Sequence, residues 1–122
     1  MDIRKLQKIV VSALEDIKGK DIEVINTTKL TSMFDRVIIA TGDSNRQVKA
    51  LARSVHDKVK EAGAEIISIE GEDAGEWVLV DLGDVVVHVM QGQVRQYYNL
   101  EELWQATPAQ RRKAAEQAAA AE

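Results

Sequence analysis

The chain has 122 residues, 45% of them hydrophobic and 30% charged, with 16 basic against 20 acidic side chains and a net charge of −4. That is apolar material for one compact domain; the acidic balance argues against wrapping bare nucleic acid, and the absence of cysteine excludes disulfides, thiolate metal sites and a cysteine nucleophile. No apolar run reaches the ~18 residues of a membrane helix and no signal-peptide pattern opens the sequence, so a cytoplasmic, soluble domain with no membrane partner is the expectation.

Ile3, Leu6, Ile9, Val10, Ala13, Leu14 and Ile17 repeat at helical steps, with Asp2 as a candidate N-cap and Gly19 as the stop. Asp21–Asn26 reads as a short strand, and residues 27–33 (TTKLTSM) as a loop. Asp35–Thr41 (DRVIIAT) lacks polar alternation, which suits a central strand covered on both faces. After Gly42, Ser44 and Gln47 make a capping-box signature for a helix that buries Val48, Leu51, Ala52, Val55 and Val59 and ends at Gly63. Ala64–Glu70 is the next strand, so residues 36–70 read as a strand–helix–strand unit with parallel strands and a right-handed crossover.

Glu70–Gly75 is an acidic turn. Glu76–Asp81 and Asp84–Met90 follow as a hairpin joined through Leu82-Gly83. Two short helical turns (VRQYY and LEELW) close residues 1–106, and an Ala-rich tail over 107–122, helical or frayed, adds little to a core. The expected fold is α+β, α/β-like: a mixed sheet of about five strands, with the two main helices on one face.

A two-residue hairpin loop sets Asp81 opposite Asp84, Leu79 opposite Val86 and Trp77 opposite His88. One face is then Val78, Val80, Val85, Val87 and Val89, a core face. The other carries Trp77, Leu79, Asp81, Asp84, Val86, His88 and Met90. It reads as a moderately apolar surface, as a second small core under the C-terminal segment, or as a binding face, an aromatic anchor with an acidic rim. A binding face would meet a basic, partly apolar partner, or a second copy of the chain.

Catalytic readings are weaker. Asp81 and Asp84 could hold Mg²⁺ for nucleotidyl or phosphoryl transfer, with the ATGDSN junction offering N–H groups to a phosphate. That junction has one glycine and no phosphate-loop lysine, and Asp43 would repel the anion; Asp43 suits the helix dipole better. His88 reads as a packed strand residue and His56 as surface, so no metal set forms. Arg95 beside Tyr97 and Tyr98 reads as local packing, or as a cation–π or phosphate contact.

The strings IIATGDSNRQVKALA (38–52), EWVLVDLGDVVVHVM (76–90) and VRQYYNLEELW (94–104) resemble, in order and spacing, the ribosomal silencing factor family, also called Iojap. Trp77, Asp81, Gly83, Asp84, Val87 and His88 match its W-x-x-x-D-x-G-D-x-x-x-H stretch. Asp35, Ala40, Gly42 and Asn45 match its D-x-x-x-x-A-T-G-x-S-N stretch, and Arg95, Tyr98, Leu100 and Trp104 its closing element. Arg36-Val37 and Gly92-Gln93 depart from it, where relatives usually carry Tyr-Phe and Pro-Glu. The resemblance implies a nucleotidyltransferase-like fold without the catalytic set. It implies a factor that is no enzyme and takes no cofactor or metal. Such a factor binds the large ribosomal subunit through universal ribosomal protein fourteen and blocks subunit joining when nutrients are short. The implied contact set is Trp77, Leu79, Asp81, Asp84, Val86 and His88, with Asp35, Asn45, Arg95 and Tyr98. A homodimer in the free state is expected, and sequence-specific nucleic-acid binding is not. The alternatives are a metal-dependent nucleotidyl or phosphoryl transferase, or an interaction module for another basic protein.

Overall fold

The computed structural model describes residues 1–105, so the Ala-rich tail lies outside the described residues. Its elements are α1 (Ile3–Asp16), β1 (Lys20–Asn26), β2 (Arg36–Gly42), α2 (Asn45–Glu61), β3 (Ser68–Glu70), β4 (Trp77–Asp81), β5 (Val85–Gln91), α3 (Gly92–Tyr98) and α4 (Leu100–Gln105). The sheet order is β1-β2-β5-β4-β3, with β2 and β5 parallel and the other neighbours antiparallel. This is the expected five-stranded mixed sheet.

Local chemistry fixes the two long helices. Asp2 accepts the Arg4 N–H at 3.0 Å and starts α1. The end of α1 differs from the sequence expectation. Lys18, not Gly19, takes the left-handed conformation, at φ 60°. Lys18 N–H bonds Glu15 O (3.0 Å) and Gly19 N–H bonds Leu14 O (2.8 Å), the paired bonds of a Schellman cap. Glycine is needed at 19 for closeness: a Cβ there would stand 3.1 Å from both Leu14 O and Leu51 Cδ2.

Ser44 caps α2 through the Gln47 N–H, as expected. The Gln47 side chain reaches further than a capping box requires. It accepts from Asp43 N–H at 2.6 Å and donates to Ile17 O and Lys18 O, tying the start of α2 to the end of α1. Asp43 itself pairs with Lys20 (2.8 Å), which raises the Lys20 pKa through that hydrogen bond and its charge.

Leu6, Val10 and Leu14 of α1 and Val48, Leu51, Val55 and Val59 of α2 pack on Ile38, Ala40, Val78, Val80, Val85, Val87 and Val89, all buried. That is the expected inner face. On the opposite face Ile25, Val37, Ile39 and Met90 are buried under Phe34, Trp77, Val94 and Leu100. The second small core therefore exists, and it explains why β2 is apolar on both sides.

Two sequence expectations change. The strands of the strand–helix–strand unit do run parallel, but β5 and β4 lie between them. The strand expected over 64–70 shrinks to Ser68–Glu70. Ile67 N–H bonds Asp81 O at 2.8 Å, and β4 ends there, so earlier residues have no strand to pair with.

A candidate docking groove on the outer face of the hairpin

The hairpin register is the main correction. Trp77 lies opposite Met90, Leu79 opposite His88 and Asp81 opposite Val86, two residues away from the expected pairing. The turn residues are Gly83-Asp84, one position later than Leu82-Gly83: Leu82 N–H bonds Val85 O at 2.9 Å, and Asp84 belongs to the turn rather than to β5. Asp81 turns the corner: its Oδ1 accepts the Gly83 N–H at 2.8 Å, with Gly83 at φ 88°. Asp81 and Asp84 are thus not a cross-strand pair of like charges. An even displacement leaves every strand side chain on its expected face, so the two-face reading survives.

The outer face divides in two. Toward β1 and β2 it is sealed by α3, α4 and Phe34 as the second core. Toward β4 it stays open as a groove of about 490 Å³. Leu79, Val86 and His88 form the floor, Met33, Phe34, Ile67 and Leu100 the apolar walls, and Asp81 and Gly83 one end. Met33 is 79% exposed and Ile67 60%, large apolar side chains left in solvent at the rim.

Beside the groove stands a row of rings. Trp77 lies 4.8 Å from Tyr98 and 5.8 Å from His88, centroid to centroid, both tilted. The Trp77 indole N–H donates to His88 Nδ1 at 3.0 Å. An indole nitrogen cannot accept, so Nδ1 is unprotonated and His88 is the neutral Nε2–H tautomer. Burial pushes the His88 pKa down to about 4.

The other expected contact residues lie elsewhere. Asp84 is exposed in the loop, and its carbonyl accepts from Asp35 N–H (2.7 Å) and Arg36 N–H (3.1 Å). Asp35 is half-buried at the start of β2, and its carbonyl receives the Thr27 N–H at 2.9 Å. Asn45 bonds Gln91 at the far end of β5. Arg95 is only 11% exposed and holds α3 and α4 to the sheet, donating to Glu101 (2.6 Å), Asp21 O (2.6 Å) and Thr41 Oγ1 (2.8 Å). Of the readings the sequence offers for it, local packing is the one its bonds express. His56, expected at the surface, is half-buried beside Asp57.

Met33, Phe34 and Ile67 are not singled out by the sequence, and Leu100 only as part of the closing element of the family resemblance. Their signal was an apolar side chain inside a polar loop or an edge strand, which becomes a wall only once the fold brings the segments together.

Among the described residues no group of three His, Cys, Asp or Glu side chains gathers as a metal site. The transferase reading needs a third carboxylate beside Asp81 and Asp84, and the groove does not supply one. No helix among the described residues is long and apolar enough to cross a membrane.

The chain matches, over residues 1–122, the family described as ribosomal silencing factor during starvation, RsfS. It is 64% identical over 104 residues to the ribosomal silencing factor RsfS of Chromobacterium violaceum, covering 85% of each chain. It is 41% identical over 108 residues to that of Bacillus subtilis, covering 88% of this chain and 92% of the relative. A crystal structure of a Chromobacterium violaceum protein superposes with a TM-score of 0.85 at 62% identity, covering 88% of this chain and 89% of that one.

Proposed function

This chain belongs to the ribosomal silencing factor family, and we propose that it represses translation by binding the large ribosomal subunit through universal ribosomal protein fourteen, so that the small subunit cannot join. The docking surface is the open half of the outer hairpin face. The observation that carries this reading is the groove itself: apolar walls, a floor of Leu79, Val86 and His88, and Asp81 at one end with Asp84 exposed in the adjoining loop. Such a surface suits a partner that offers an apolar side chain flanked by Lys or Arg.

Trp77 contributes fixed apolar surface beside the groove. Its N–H is already spent on His88 and its ring rests on Tyr98, so it offers rigid apolar area and no free donor. Asp84 contributes charge at the rim, where it steers association more than it holds the complex. Before the subunit is met, the same face closes on a second copy of the chain, and dimerisation competes with docking. The protein acts in the cytoplasm, where its target is assembled.

The test is calorimetric titration of the isolated ribosomal protein into this chain. Asp84→Lys removes a rim charge without touching the turn bonds, which use the Asp84 backbone, and should weaken binding about three- to tenfold with unchanged stability. Val86→Glu puts a charge into the floor and should abolish binding. Full affinity in Val86→Glu overturns the reading.

A further inference from the structure

The Trp77–His88 pair leaves one polar group without a use. Nδ1 of His88 accepts the indole N–H at 3.0 Å, so the proton of the neutral ring sits on Nε2. Among the described residues nothing accepts from that Nε2–H. His88 is half-buried, and burial holds it neutral, with its pKa down at about 4. A half-buried N–H with no acceptor is a standing cost that a bound group can relieve.

The strand pairings fix the way this donor faces. His88 lies in a row across the sheet, with Leu79 and then Glu70 toward the β3 edge and Ile39 toward β1. The next row on one side holds Trp77 and Met90, and the next row on the other holds Asp81 and Val86. Nδ1 is turned to Trp77. The Cδ2–Nε2 edge is the opposite side of the imidazole, so it is turned to the Asp81–Val86 row, where the groove lies. Leu79 and His88 also line a second hollow of about 270 Å³, together with Glu70, Gly71 and Trp77. The pair is thus a low divide between two hollows on one face.

Charge selects the acceptor. Asp81 lines the groove and Glu70 lines the second hollow. A carboxylate or phosphate reaching Nε2 would come between two like charges. His88 cannot take a second proton to meet an anion without giving up the indole bond. A neutral acceptor meets neither obstacle, and the amide carbonyl is the neutral acceptor that every protein surface offers. We propose that His88 is the specificity-determining donor of the docking face: its Nε2–H donates to an amide carbonyl oxygen of the ribosomal protein, while apolar side chains next to that amide enter the hollows on either side. The proposal rests on the docking reading above and gives its apolar floor one directional contact. A partner without a carbonyl at that place leaves the N–H buried and unpaired, which is how such a site rejects it.

The experiment titrates isolated universal ribosomal protein fourteen into the full chain by calorimetry at neutral pH. His88→Met keeps apolar bulk and removes the donor. It should weaken binding about ten- to a hundredfold, because the partner's carbonyl is then buried unpaired. His88→Gln, whose amide both accepts and donates, should stay within about threefold of wild type. Wild-type affinity in His88→Met overturns the proposal, and so does an equal loss in both variants, which would leave His88 a role of shape alone. A measurement on the unmutated chain covers the case in which a variant misfolds. In proton–nitrogen spectra of the ring, the Nε2–H signal should move downfield and exchange more slowly with solvent once the ribosomal protein is bound. A freely exchanging Nε2–H in the saturated complex overturns the proposal. Binding lost in Val86→Glu and kept in His88→Met leaves the groove standing and removes this contact alone, whereas no binding by the wild-type chain removes both.

Discussion

Trp77 and His88 are joined diagonally across the hairpin, indole N–H to Nδ1 at 3.0 Å, while the residues directly opposite them are Met90 and Leu79. Diagonal neighbours in an antiparallel pair are within reach of long aromatic side chains. The bond uses the imidazole as an acceptor, and protonation of Nδ1 would break it.

Stability should therefore depend on His88 in acid. The folded pKa, about 4, lies below the usual 6.5. Between those values the unfolded chain binds the proton and the folded chain does not. The contribution is fully present above pH 6.5, falls as the pH drops, and is gone below about 4. It amounts to roughly 3 kcal/mol at most. Urea denaturation at several pH values should show this slope, and His88→Gln should flatten it. An equal slope in the variant assigns the acid sensitivity to other groups.

Lys18→Gly should stabilise the protein. A non-glycine residue in the left-handed region costs about 1–2 kcal/mol, and glycine loses about 0.5–1 kcal/mol more chain entropy on folding. The net gain is about 0.5–1 kcal/mol, a rise of roughly 2–6 °C in Tm. The cap bonds use backbone groups, so they survive the change. A lower Tm would show that the side chain, not the backbone, matters at this position.

Arg95→Met should cost about 2–4 kcal/mol, because it strands the half-buried Glu101 carboxylate and unties α3–α4 from Asp21 and Thr41. Hydrogen exchange should speed up in α3 and α4 and stay unchanged in α1 and α2, whose core is on the other face. In a double-mutant cycle with Glu101→Gln the two changes should be non-additive. Additive losses, or uniform exchange, would contradict a clasp that acts locally.

Asp81→Ala should cost about 1 kcal/mol by removing the acceptor for the Gly83 N–H, while Asp81→Asn, which keeps an oxygen there, should cost less. Equal losses in the two variants would mean that charge rather than the turn bond is what Asp81 supplies.

Much of the fold was legible because it depends on local pattern. The stripes from Leu6 to Leu14 and from Val48 to Val59, the Ser44 cap and the buried run of β2 are each written in a few consecutive residues. The hairpin faces were legible for the same reason, since alternation survives any even slip of register. The register itself was not legible. It depends on the Asp81 side chain holding the Gly83 N–H, with the turn at Gly83-Asp84, one position later than Leu82-Gly83 suggests. The position of β3 was hidden because pairing with β4 instead of β2 is decided by distant strands. The groove was half visible: Leu79, Val86 and His88 follow from alternation, whereas Met33, Phe34, Ile67 and Leu100 come together only in three dimensions. The Arg95 clasp was invisible, because its partners Asp21 and Thr41 are far from it in sequence.

The most direct measurement is light scattering of purified small and large ribosomal subunits, mixed under associating Mg²⁺ with wild-type protein or with Val86→Glu. The account predicts that wild type lowers the associated fraction in proportion to its occupancy of large subunits, and that Val86→Glu, folded but with a charge in the groove floor, leaves association intact. Undiminished association with wild-type protein bound to the large subunit, or equal inhibition by Val86→Glu, would contradict it.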